Sequence, residues 1–335
     1  MKLIYVIIAL VLFALGCKGD SENDIVFGEV EHHLNHRQIE VTWNNDSVTL
    51  SGTLYLPIEE GVYPLAIWVH GSSANLRLPY RYNMHELFRH CSALTWVERG
   101  YAFFSYDKRG SGESSGGFKG KDLTHEEIVE LLASDAASAV DVCVNYNEVN
   151  PNFVGFFGGS QAGITIPIAA LQQNNLAFAI IINGPVAPYW AIDYFGELTG
   201  NNSSDFYFTN CENPNLDSIY SILDSVMLEY PQYDTAINAK VDLIQMKTPA
   251  CHIQGLQDLN QPARHSLSEL IKIDRQYDKS WKIIAYEEAD HALTTNGALC
   301  VLKQKKPIDS LMHVSVNWET PVFHWLDSLM TISAK

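Results

Sequence analysis

Short uninterrupted apolar runs recur along the chain and are separated by polar segments. A run without polar alternation is typical of a strand buried on both faces of a largely parallel sheet. Six such runs are present, at residues 65–69, 102–106, 153–157, 178–182, 250–253 and 282–286. Ahead of them, residues 39–56 alternate between apolar and polar positions around Asn44-Asn45-Asp46. This alternation predicts an antiparallel hairpin before the parallel strands.

Helical periodicity fills the intervals between the apolar runs. The clearest patterns cover residues 83–99, 124–146, 164–171 and 266–277. The second of them begins with Thr124 followed three positions later by Glu127, which resembles a capping box. Strands that alternate with helices of this length imply right-handed crossovers and a sheet covered on both sides. The predicted fold class is therefore α/β.

One segment, at about residues 188–247, breaks this alternation. It is rich in Tyr, Phe, Asn and Asp, and it ends in helical patterns at 216–228 and 236–246. We interpret it as a cap inserted into a single α/β domain that spans residues 39–335. Its aromatic side chains either line a substrate pocket or supply the hydrophobic contacts that a small insert needs to stay folded.

The N-terminus has the pattern of an export signal. Lys2 is followed by an apolar run at 3–15, which is shorter than the roughly 20 residues that a membrane span requires. The ending Ala14-Leu15-Gly16-Cys17 resembles a bacterial lipobox, and this resemblance implies lipidation of Cys17. We expect a signal peptide at 1–16, a tether and N-terminal segment at 17–38, and an exported protein held on a membrane by its lipid anchor. An ordinary cleaved signal with an incidental Cys is the alternative.

Composition excludes two broad classes of protein. With 47% hydrophobic and 18% charged residues, the chain can bury a large core and is not predicted to be disordered. The 22 Lys and Arg against 39 Asp and Glu give a net charge of −17, and no basic run is present. We therefore expect no nucleic-acid partner.

Cysteine and histidine spacing indicates neither a disulfide scaffold nor a metal site. Five of the six cysteines follow Cys17, with no CxxC pair, although a single bridge between Cys211 and Cys251 stays open. His85 and His90 are five positions apart, whereas two zinc ligands on one helix face are four apart. No metal and no cofactor are expected.

A glycine-rich turn around Ser160 is the strongest chemical signal. Gly158-Gly159-Ser160-Gln161-Ala162-Gly163 lies between the apolar run at 153–157 and the helical pattern at 164–171. A nucleophilic hydroxyl needs such a strand-to-helix turn, in which small neighbours permit strained backbone angles and the helix N-terminus favours negative charge. Ser160 is the predicted nucleophile.

A base and an acid follow Ser160 in the order that this architecture requires. Asp258 comes after the run at 250–253, and His291 comes after the run at 282–286. Asp290 competes with Asp258 as the acid, but a carboxylate adjacent in sequence aligns poorly with its neighbour's ring, and we expect it to be solvated. The predicted oxyanion donors are the backbone N–H groups of Gln161 and of Ser72, with Ser73 as the alternative to Ser72.

Together these motifs resemble those of bacterial α/β-hydrolases over residues 53–329. The resemblance is closest to esterases grouped with serine aminopeptidase-like and dipeptidyl-peptidase-like hydrolases, and Ala162 departs from the usual second Gly of the elbow. It rests on the turn His70-Gly71-Ser72, the loop from Asp107 to Ser114, the elbow, and the late Asp and His.

The resemblance implies an α/β-hydrolase fold and a loop at 107–117 held by Asp107 and Arg109. It also implies that Ser160, Asp258 and His291 cleave a carboxylic ester of a small or oligomeric acylated substrate through an acyl-enzyme. A serine exopeptidase or amidase is the first alternative. A surface lipoprotein that uses this fold only for binding is the second.

Overall fold

A computed structural model describes residues 36–72, 76–77, 93–118, 121–200, 215–229, 239–295 and 316–333. Its strands are β1 His36–Asn45, β2 Val48–Pro57, β3 Tyr63–Val69, β4 Ala102–Tyr106, β5 Val149–Gly159, β6 Phe178–Ile182, β7 Ala250–Gly255 and β8 Lys282–Tyr286. Its helices are α1 Ala93–Val97, α2 His125–Cys143, α3 Ala162–Leu171, α4 Tyr189–Leu198, α5 Leu216–Glu229, α6 Lys240–Gln245, α7 Ala263–Tyr277 and α8 Glu319–Ser333.

The eight strands form one sheet in the order β1-β2-β4-β3-β5-β6-β7-β8. The predicted hairpin is confirmed: β1 and β2 are antiparallel, and Asp46 in their turn has φ 53°. β2 also pairs antiparallel with β4. From β4 to β8 every neighbouring pair is parallel. The carboxyl ends of β3 to β8 therefore meet at one edge, where ligands bind in open α/β sheets.

Apolar side chains cover both faces of the parallel strands, as the uninterrupted runs predict. Along β3, Leu65 and Ile67 belong to one core cluster, and Ala66 belongs to the other. α2 and α3 pack in the first cluster, whereas Trp96 of α1 and Val322 of α8 pack in the second. The sheet is thus enclosed between two helical layers, and the predicted α/β class is confirmed.

The helices agree with the periodicity in most places. Thr124 caps α2 with the reciprocal hydrogen bonds to Glu127 that define a capping box. Only α1 is described from the predicted helix at 83–99, because residues 78–92 lie outside the described residues. α4 and α8 are helices that the periodicity of the sequence did not predict. Both are amphipathic and begin near a proline, Pro188 before α4 and Pro321 inside the first turn of α8.

The segment between β6 and β7 carries α4, α5 and α6. Phe195 of α4 packs with Leu216, Tyr220 and Leu223 of α5 in a small third cluster. The aromatic residues at 206–208 lie outside the described residues, so the predicted cap bounds of 188–247 stay a prediction. Cys17 and the export signal also lie outside the described residues. None of the helices described here is long and apolar enough to cross a membrane.

Candidate active site

Four turns at the carboxyl ends of adjacent strands bring the polar side chains of the site together. Ser160 follows β5, Asn183 follows β6, Asp258 follows β7 and His291 follows β8. Since these four strands are neighbours in the sheet, their carboxyl ends are contiguous. The sheet therefore brings residues that are up to 131 positions apart in sequence to neighbouring turns.

Ser160 lies in a strained turn between β5 and α3. Its φ is 59°, in the left-handed region that costs a non-glycine residue free energy, and its N–H donates to the carbonyl of Ile182. A Cβ at Gly158 would lie 2.4 Å from the Val69 carbonyl oxygen, and one at Gly163 would lie 2.3 Å from the Gly184 Cα. The small residues of the motif are thus required by close packing around the elbow.

Asp258 and His291 form a charge-assisted pair. Asp258 Oδ2 is 2.6 Å from His291 Nδ1, and the Asp258 side chain is completely buried. The other oxygen, Oδ1, accepts hydrogen bonds from the N–H groups of Asn260 at 2.7 Å and Gln261 at 3.3 Å. These bonds hold the carboxylate in its orientation. Within the described part of the chain, no hydrogen bond joins the Ser160 hydroxyl to the His291 ring.

The environment of His291 favours its protonated form. Burial of the ring lowers its pKa, but the charge of Asp258, the hydrogen bond to Asp258 and the charge of Asp290 together outweigh burial and raise the pKa above the ordinary value. The ring therefore holds a proton more strongly than an isolated histidine does, which is the property that a general base needs once it has accepted a proton.

Asp290 is half-buried and its carboxylate is hydrogen-bonded within its own turn, rather than fully solvated as the sequence-based expectation had it. Its Oδ1 accepts from the N–H groups of Ala292 and Thr294 at 2.9 Å each, and its Oδ2 accepts from Thr294 Oγ1 at 2.6 Å. Burial raises the pKa of this carboxyl despite these bonds. The carboxylate closes the turn that carries His291, so Asp258 alone of the two carboxylates is bonded to the ring.

Asn183 connects three of the four turns, although no sequence motif predicts a role for it. Its Nδ2 donates to the carbonyl of His291 at 2.9 Å, and its Oδ1 accepts from the N–H of Gly255 at 2.7 Å. The side chain is buried and the backbone has φ 46°. The available signal was its position directly after a buried strand, followed by Gly184-Pro185.

The predicted oxyanion donors lie on two turns beside the elbow. Gln161 precedes α3, where the first N–H groups of a helix have no intrahelical acceptor. Ser72 follows β3 and is exposed, and Ser73 lies outside the described residues. A Cβ at the preceding Gly71 would lie 3.4 Å from Ser160 Cβ. The turn after β3 thus runs beside the predicted nucleophile.

The loop after β4 is held as the resemblance implies. The Asp107 carboxylate accepts from the N–H groups of Arg77 at 2.8 Å and Glu113 at 2.9 Å. Gly112 has φ 54°, and a Cβ there would lie 2.3 Å from Asp107 Oδ2. Arg109 forms a two-point ion pair with Asp135 of α2. The loop is anchored to β2, where Ser114 Oγ accepts from the N–H of Ser51 at 3.0 Å, and to α2 through Arg109.

Other reactive groups in the described ranges are few. Cys143 and Cys251 are buried free thiols, and Cys211 lies outside the described residues. No group of three or more His, Cys, Asp or Glu side chains in the described ranges is arranged to hold a metal ion. His85 and His90 also lie outside the described residues.

Structural comparison defines the class of fold. An esterase of Pyrococcus furiosus superposes with a TM-score of 0.53 at 17% identity, covering 88% of this chain and 92% of that one. Acetyl xylan esterase 1 of Thermoanaerobacterium sp. gives 0.53 at 18% identity, covering 78% and 80%. Acylaminoacyl peptidase of Pyrococcus horikoshii gives 0.54 at 18% identity, covering 82% of this chain and 40% of that one. The chain has the α/β-hydrolase fold.

The family follows from the sequence comparison. Residues 46–299 match the family model described as X-Pro dipeptidyl-peptidase (S15 family). The chain therefore belongs to this family and is a hydrolase. The matched region contains Ser160, Asp258 and His291.

Proposed function

We propose that the protein is a serine hydrolase that cleaves a carboxylic ester through an acyl-enzyme on Ser160. The observation that carries this proposal is the 2.6 Å bond between Asp258 and His291 at the sheet edge where Ser160 occupies a left-handed elbow. Asp258 holds the proton of the neutral ring on Nδ1, which leaves Nε2 as the acceptor. Substrate binding brings the Ser160 hydroxyl into hydrogen-bond reach of Nε2, as catalytic hydrogen bonds often tighten only in the substrate complex.

The proposed reaction has two steps, formation of the acyl-enzyme and its hydrolysis. Ser160 Oγ attacks the carbonyl carbon while its proton passes to His291 Nε2, and the alcohol leaves with that proton. Water then attacks the acyl-enzyme, gives a proton to His291 and releases the acid, and Ser160 recovers its proton. In each tetrahedral intermediate the oxyanion accepts hydrogen bonds from the N–H groups of Gln161 and Ser72.

A serine exopeptidase is the second candidate, because the chain belongs to a family described as X-Pro dipeptidyl-peptidases. The same nucleophile cleaves an amide when the leaving amine takes the proton from His291. The two candidate functions, ester cleavage and amide cleavage, use the same site and differ in the substrate that the site accepts.

The test compares the full chain in detergent with Ser160→Ala and with Ser221→Ala, an exposed serine on α5. The substrates are p-nitrophenyl esters from acetyl to octanoyl and dipeptidyl X-Pro p-nitroanilides. We expect ester hydrolysis that falls by at least about 10⁴-fold in Ser160→Ala and is unchanged in Ser221→Ala. Turnover of anilides alone would favour the exopeptidase, and equal activity in all three proteins would remove Ser160 from the mechanism.

We also propose that the chain is exported and anchored by lipid on Cys17. This proposal rests on the apolar run and the lipobox-like ending. In a bacterial host, the chain should partition into the membrane fraction and carry a lipid-modified N-terminus by mass spectrometry. Cys17→Ala should prevent both. Wild-type protein that lacks the lipid would contradict the proposal.

A further inference from the structure

A buried lysine connects the two turns that carry the predicted oxyanion donors. Lys108 follows β4, and its side chain is almost entirely removed from solvent, with 6% of the residue exposed. Its Nζ donates to the carbonyl of Gly71 at 2.8 Å and to Gln161 Oε1 at 2.9 Å. Gly71 lies on the turn after β3, and Gln161 directly follows Ser160. One ammonium therefore bonds both sides of the proposed oxyanion site.

The bond to Gly71 acts on a predicted donor through its peptide unit. The Gly71 carbonyl and the Ser72 N–H belong to the same planar peptide, and in a trans peptide they point in opposite directions. A donor fixed on the carbonyl therefore also fixes the direction of the N–H. A positive charge at the carbonyl oxygen polarises the peptide and makes its N–H a stronger donor.

Among the described residues, no carboxylate contacts the charged Nζ of Lys108 directly. Its two hydrogen-bond acceptors within the described residues are the neutral oxygens of Gly71 and Gln161. Burial without an opposite charge is costly, and it lowers the pKa of Lys108 to about 8. An oxyanion that accepts a hydrogen bond from the Ser72 N–H would interact favourably with this positive charge through the polarised peptide.

We propose that Lys108 is a positioning residue of the oxyanion site, which orients the Ser72 amide and the Gln161 side chain and polarises the Gly71–Ser72 peptide toward the developing oxyanion. The inference rests on the proposed acyl-enzyme function. It adds a residue to that mechanism without altering the roles of Ser160, Asp258 and His291.

The groups that face Lys108 do not titrate in the same range of pH. They are the rings of His70, on the turn after β3, and His125, in the first turn of α2. Burial lowers the pKa of both, to about 4 for His70, so both rings are neutral above pH 7. Lys108 loses its proton as the pH rises through about 8. If activity needs the ammonium, it should decrease as the pH rises through the same range.

The experiment uses the full chain and measures kcat and KM for a p-nitrophenyl ester from pH 6 to pH 10. Three variants are compared: Lys108→Met, Lys108→Arg and Lys121→Met. Lys121 is the control position, because it is exposed and, like Lys108, precedes α2 in the chain. We expect Lys108→Met to lower kcat by about 10²-fold with little change in KM, as loss of one oxyanion donor does. Lys121→Met should match the wild type.

The pH profile separates positioning from a merely structural role. The wild type should lose activity as the pH rises through about 8. Lys108→Met should lose this alkaline decline. Lys108→Arg should retain part of the rate and move the decline to higher pH, since guanidinium stays charged. If Lys108→Met fails to fold, the wild-type and Lys108→Arg profiles still decide the inference.

Two results would overturn the inference: an unchanged kcat in folded Lys108→Met, or a wild-type activity that stays flat from pH 7 to pH 10. Labelling of Ser160 with a fluorophosphonate distinguishes this failure from failure of the proposed function. If the wild type reacts with the label and turns over ester, only the role of Lys108 is wrong. If the wild type does neither, the acyl-enzyme itself is wrong.

Discussion

Two buried carboxylates in this protein have similar surroundings, but one belongs to a structural ion pair and the other to the candidate active site. Asp135 and Asp258 are both completely buried, and each bonds a cationic or ionisable partner at 2.5 to 2.6 Å. Asp135 bonds Arg109 at two points and also accepts from Asn45 Nδ2 at 2.8 Å. Asp258 bonds one nitrogen of His291.

The difference comes from the side chain that each carboxylate bonds, and in particular from the atoms of that side chain that the carboxylate does not contact. Arg109 has five N–H donors and no acceptor atom, so its pair with Asp135 can only hold the loop after β4 to α2. His291 keeps a second ring nitrogen that can exchange a proton near neutral pH. A buried carboxylate thus becomes part of a reactive site only when its partner retains a titratable position. The following three predictions test this contrast.

The largest expected effect is on turnover. In Asp258→Asn an amide faces Nδ1 and favours the tautomer with the proton on Nε2, so kcat should fall by about 10⁴-fold with little loss of folding stability. Any residual activity should show its acidic decline at lower pH, because the charge and hydrogen bond that raise the pKa of His291 are lost. Asp327→Asn, on the exposed surface of α8, is the control. Near-normal kcat in Asp258→Asn would assign the acid role elsewhere.

The second prediction concerns stability. Asp135→Asn leaves the Arg109 charge buried without its counter-charge, which should lower the free energy of unfolding by about 3–5 kcal/mol. Urea denaturation measures this, and kcat per folded molecule should change far less than in Asp258→Asn. The double variant Arg109→Leu with Asp135→Leu should recover most of the stability, because neither charge then remains. A double variant as unstable as the single one would show that the pair contributes more than charge compensation.

The smallest expected effect is a shift in pH dependence. The proposed mechanism needs neutral His291, so the acidic decline of kcat/KM should follow the raised pKa of this ring. Asp290→Asn removes the weaker of the two charges that raise this pKa, and the decline should move to lower pH by less than in Asp258→Asn. A shift to higher pH, or none, would show that Asp290 does not act on the ring. Thr294→Val, which removes one bond to Asp290 and no charge, is the matched control.

The elements with the strongest local patterns were predictable. The six apolar runs all became strands, and the capping box of α2 formed at Thr124 as the residue types indicate. Two helices, α4 and α8, were not predicted. The periodicity of α4 is obscured by the aromatic residues of its segment. Asp290 is less solvated than expected, because the turn that it closes supplies the donors for its carboxylate.

By itself the sequence determined the α/β class, the strand-to-helix turn at Ser160, and the chain order in which Asp258 and His291 follow it, because each depends on local residue type and spacing. Only the tertiary structure decided that the Asp258 carboxylate reaches Nδ1 of His291, and that Asn183 and Lys108 connect the surrounding turns. Those contacts span 33 to 108 positions in sequence. They form where the carboxyl ends of neighbouring strands meet, and no local periodicity carries that information.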